Sequence, residues 1–60
     1  MTPNTQALKA RDAIRELMAA GWNDEALILD AAAEAIGGTE DAKLIVMMVW
    51  RKHFSVAVPN

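Results

Sequence analysis

Leu44-Ile45-Val46-Met47-Met48-Val49-Trp50 is the stretch whose reading decides the fold. It is seven apolar residues without a break, in a chain of 60. A short apolar run fits a buried strand or a buried helix, and periodicity alone does not separate them. Its flanks favour the helix. Thr39-Glu40-Asp41 is a helix entry signal: a capping hydroxyl, then acids where the helix dipole favours negative charge. Leu and Met prefer helix, and a lone strand would have only its own copy to pair with. The run therefore belongs to a third helix over about 40–54. Arg51, Lys52 and His53 lie at its end, where cations are favoured.

Gly37-Gly38 precedes this helix and ends a second one over about 24–36. Asn23 is the expected N-cap there, with Asp24 and Glu25 in the first turn. Trp22 before the cap and Leu27 four positions after it have the spacing of a hydrophobic staple. Ile28, Leu29, Ala32, Ala33 and Ile36 form the inner face, while Asp30 and Glu34 mark the wet one. Further out, Gly21 closes a first helix over about 5–20, capped by Asn4 or Thr5. On it Ala7, Ala10, Ile14, Leu17 and Met18 share one face. Lys9, Asp12 and Glu16 lie opposite, and Arg11 and Arg15 sit one turn apart along the border. Residues 1–4 read as a frayed lead, and 55–60 as a helix extension or a strand.

The expected fold is thus all-α: one small domain over 1–60, three short helices packed as a bundle. Length and composition add an expectation of homodimerisation. A domain of about 60 residues buries only roughly 60% of the surface that its unfolded chain exposes. Small domains usually add a staple: a disulfide, a metal or a second subunit. There is no cysteine, and the single His53 builds no metal site alone. Yet 53% of the residues are hydrophobic. Around the third helix the apolar positions of 44–50 leave no polar gap, and a helix apolar all round must be covered all round. Two short helices do not cover it; a second copy does. The third helix is expected to be central, with its own subunit on one side and its twin on the other.

Charge comes in blocks. Residues 1–23 hold Lys9, Arg11 and Arg15 with Asp12 and Glu16; residues 24–41 hold acids only; residues 42–60 hold Lys43, Arg51 and Lys52 and no acid. The net charge of −2 argues against a dedicated nucleic-acid binder, which carries a basic excess. The N-terminus has no charged region leading into an apolar core, so no signal peptide is expected. The apolar run is far short of the roughly 20 residues that a spanning helix needs. A soluble, cytoplasmic protein without membrane association is the expectation.

One local stretch, Ala32-Ala33-Glu34-Ala35-Ile36-Gly37-Gly38-Thr39, resembles the first helix and turn of a Fis-type helix-turn-helix DNA-binding module. The resemblance implies a recognition helix next, which must offer polar and basic side chains to the major groove. Here that helix carries Leu44–Trp50, with Lys43 as its only early base and Glu40-Asp41 facing phosphate, so no DNA-contacting residue follows. The format is also similar to the short helical-hairpin dimers that bind RNA in plasmid copy control. Those need basic helix faces, for which only Arg11 and Arg15 are present.

No enzyme is expected and no cofactor is called for. No nucleophile has a base beside it in a triad: His53 and Ser55 are near neighbours without a third member. Gly37-Gly38 is a turn and not a phosphate loop. The expected function is protein binding, by a homodimeric inhibitor or modulator of a host regulatory protein. Adaptors, antitoxins and inhibitors encoded by phages and other mobile elements often have this size and lack of site chemistry, a class prior that the residues do not themselves carry. The alternative is a helix-turn-helix-like nucleic-acid-binding transcriptional regulator. The candidate partner-binding residues are Arg11, Arg15, Trp22, Met47 and Trp50. Met is adaptable, and Trp and Arg are frequent hot spots. The bland reading of each is core packing for Met47 and Trp50, and a solvated helix border for the arginines.

Overall fold

In the computed structural model, which describes residues 3–54, three helices follow one another with no strand among the described residues: α1 Pro3–Ala19, α2 Glu25–Ala35 and α3 Glu40–Val49, the last running into a π-helical turn at Trp50–Phe54. The strand alternative for 44–50 is thereby excluded. Residues 55–60, expected as a helix extension or a strand, lie outside the described residues.

Each break is chemically specified. At the end of α1 the Trp22 N–H donates to the Leu17 carbonyl (3.1 Å) and the Gly21 N–H to that of Met18 (3.0 Å). Gly21, at φ 102°, takes the backbone turn that a Cβ would oppose. The end of α2 repeats the pattern: Gly38 N–H to Ala33 carbonyl at 2.8 Å, Gly37 N–H to Glu34 carbonyl at 3.2 Å. Two Schellman closures therefore satisfy carbonyls that a bare helix end would leave open. At the start of α3 the Thr39 hydroxyl accepts from the Ala42 N–H at 3.0 Å, as expected.

Two helix starts differ from expectation. The cap of α2 is Asp24, not Asn23: its carboxylate accepts the Leu27 N–H at 3.3 Å. An anionic cap gains from the dipole as well as the hydrogen bond. The frame moves by one residue, so Trp22 and Leu27 no longer occupy the staple positions. In α1, Pro3 is already helical and Asn4 and Thr5 fall inside the first turn, not at the cap. Proline suits the first helical position because its missing N–H would be unpaired there anyway.

The core takes residues from all three helices: Ala10 and Ile14 from α1, Ile28, Ala32 and Ala33 from α2, Val46 and Val49 from α3. The largest side chains buried completely are Ile14, Ile28 and Val46, one per helix. Alanine dominates the remainder, so the helices approach closely over a small apolar volume. Every helix packs on both others to a similar extent. Within the single chain α3 buries one stripe, Ala42, Val46 and Val49, and its outer side stays open. Met18, expected on the inner face of α1, is exposed.

Candidate protein-docking faces

Large apolar side chains lie on the surface of all three helices: Leu8 and Met18 on α1, Leu27 on α2, Leu44, Met47 and Met48 on α3, with Trp22 between α1 and α2. Scattered singly these would be ordinary; grouped, they mark interaction surfaces. Two groups have regular helical spacing.

The first is the outer face of α3. At about 100° per residue, Asp41, Leu44 and Met48 fall within roughly 60° of arc, on the side away from Ala42, Val46 and Val49, and Arg51 follows on that side at the start of the π-turn. All four are exposed, Leu44 at 58% and Met48 at 69%. Met47 flanks them, 45% exposed. Their spacing of three, four and three residues is that of a helix-pairing seam. The stripe is acidic at one end, apolar in the middle and basic at the other.

The second flanks the core face of α1. Leu8, Arg11, Arg15 and Met18 have the same spacing and also share roughly 80° of arc. Leu8 is 54% exposed and Met18 44%; Arg15 is exposed and Arg11 half-buried. The Arg11 Nε is shielded from solvent with no hydrogen-bond partner. Its stem therefore lies against the body, and the guanidinium is held at the edge of the stripe. The stripe is apolar at both ends and basic between.

The sequence-predicted site residues divide between these places. Arg11 and Arg15 lie together on the α1 stripe, and Met47 is on the outer side of α3. Trp22 stands apart, lining an open groove of about 230 Å³ with Asn23, Asp24 and Leu27. Trp50 is half-buried and stacks on Phe54, with ring centroids 5.9 Å apart. It packs on its own subunit and props the π-turn, so that Arg51, Lys52 and His53 stand exposed. The sequence reading missed Leu8 and Leu44 as surface residues. The three-four-three spacing was the available signal, but in an unbroken apolar run nothing marks which side faces out.

Concave features are shallow. An open groove of about 460 Å³ between α1 and α2 is lined by Lys9, Asp12, Glu16 and apolar residues including Leu17 and Ile36. A smaller one of about 240 Å³ lies where Lys43 and Met47 of α3 face Leu29 and Asp30 of α2. Among the described residues no group of three or more His, Cys, Asp or Glu is placed to hold a metal. No helix among them is long and apolar enough to cross a membrane. No protein-family model matches the chain, and no curated protein and no solved structure does either.

Proposed function

We propose that this chain is a non-enzymatic binding protein, a homodimer that inhibits or modulates a second, regulatory protein, as small proteins of phages and mobile elements do. The observation that carries the reading is the placement of Leu8, Met18, Leu44 and Met48 on the surface, in two helical stripes, over a small core in which four of the eight buried hydrophobic residues are alanine. Large apolar side chains left out of so small a core suit partners better than they suit water. The α1 stripe is the face for the second protein. Its two arginines would meet a partner helix or groove with acids between apolar ends, the arginines fixing register and Leu8 and Met18 supplying buried area.

The experiment is affinity capture from host lysate followed by reconstitution with the purified protein recovered. One stoichiometric partner is expected, bound by the wild type and lost in Arg15→Glu. Recovery of no such protein, or wild-type binding by Arg15→Glu, overturns the reading. The rival is the nucleic-acid-binding regulator, and it has its own measurement. Titration of labelled DNA and RNA at two salt concentrations is expected to give no binding even at low salt. Binding that falls steeply with salt would instead establish a phosphate-contacting set.

A further inference from the structure

We infer that the outer face of α3 pairs with the same face of a second copy, antiparallel, about a twofold axis passing the level of Val46. The inference rests on the homodimeric reading above and adds the surface, the orientation and the register.

The stripe matches itself in one direction only. Turned head to tail about that level, Leu44 of one copy faces Met48 of the other, and Asp41 faces Arg51. Glu40 and Lys52 flank the seam at its ends, on opposite sides of it. All six side chains are exposed in the single chain, so the pairing needs no rearrangement of the core. The layers alternate as antiparallel helix pairs require, each first-type seam position against a second-type position of the partner. Two apolar layers lie at the centre, with an oppositely charged layer at each end. A parallel pairing would place Asp41 on Asp41 and Arg51 on Arg51, which opposes association. The dipole of each α3 also runs favourably in the antiparallel arrangement, since the acidic end of one helix meets the basic end of its twin.

The α2–α3 groove adjoins this face: Met47, which flanks the stripe, also lines the groove with Lys43 and Asp30. In the dimer Met47 covers the edge of the seam, where an adaptable side chain suits an imperfect fit.

The test is sedimentation equilibrium of the full chain, with far-ultraviolet circular dichroism to report folding. The variants are Asp41→Arg, Arg51→Asp, the double swap and Met48→Asp. The wild type is expected to be a dimer at micromolar concentration. Each single charge reversal makes two repulsive layers by symmetry and raises the dissociation constant by roughly ten-fold. The double swap restores it to within about two-fold of wild type, because both layers are again oppositely charged. Met48→Asp is expected to be a folded monomer. A dimer indifferent to Met48→Asp overturns the surface but leaves homodimerisation standing. A dimer sensitive to Met48→Asp in which Asp41→Arg has no effect overturns the antiparallel register. A wild-type monomer overturns the homodimer as well as the inference.

Discussion

The outer faces of α1 and α3 use one spacing to opposite ends. Both carry four residues at intervals of three, four and three, and both leave them open to solvent or at its edge. They differ in the order of chemistry along the helix. On α3 the charge changes sign from Asp41 to Arg51 with Leu44 and Met48 between, so the stripe complements its own reverse. On α1 the charge does not change sign: Arg11 and Arg15 sit in the middle, and two copies in either direction would bring guanidinium against guanidinium. A surface that changes sign along its length invites its twin; one that keeps its sign needs something else. In the proposed arrangement these eight side chains would separate self-association from capture of a partner.

The largest effect on this comparison comes from the core that presents both faces. Ile28→Ala removes a large side chain buried between the helices. The expected cost is roughly 2–5 kcal/mol, a large part of the stability of any domain this size. Thermal unfolding followed by circular dichroism checks it, and both binding activities should fall together. Next come substitutions that separate the faces. Leu44→Asp should abolish dimerisation with helicity unchanged, while each monomer still binds the partner protein. Arg15→Glu should do the reverse: a stable dimer whose affinity for the partner falls about a hundred-fold, the size of effect a hot-spot arginine gives. Size-exclusion chromatography and isothermal titration of both variants would show the crossing pattern, and parallel loss of both activities in either would break it.

Smaller effects sharpen the description. Gly38 holds φ 69°, and a Cβ there would lie 2.8 Å from the Glu34 Oε2, a side-chain end that can move. Gly38→Ala should therefore cost about 1 kcal/mol through the backbone alone, lowering the melting temperature without changing either association. Arg11→Met should leave stability unchanged or raise it by up to about 1 kcal/mol, because it removes a shielded, unpaired Nε while keeping the apolar stem. Partner affinity should still drop. A chemical-denaturation curve beside a binding titration tests both halves, and a marked loss of stability would show that the guanidinium serves the fold.

Where the sequence was legible, a local chemical rule acted alone. Gly21 and Gly37-Gly38 stop helices, Thr39 starts one, and the spacing of Ile28, Ala32 and Ala33 turns that side of α2 inward. Where two rules competed, it was less so. Asn23 and Asp24 are both good caps, and the one with charge took the position. Met18 could close the apolar face of α1 or leave it, and it lies exposed. Leu44–Trp50 was the hardest place. A helix with no polar residue carries no mark of which side is out, so the burial of Val46 and Val49 and the exposure of Leu44 and Met48 were fixed by the positions of α1 and α2. The π-turn at Trp50–Phe54 has no signal in the residues themselves; it accompanies the stacking of the two rings. The arginine pair was recognised from its spacing, but its apolar ends, Leu8 and Met18, became visible only with the packing.

The claim that most of this rests on is that a second copy of the chain covers the outer face of α3. Sedimentation equilibrium of the wild type and Met48→Asp at micromolar concentration tests it directly. The expected result is a dimer for the wild type and a monomer of unchanged helicity for Met48→Asp. A monomeric wild type, or a variant that remains dimeric, would contradict it.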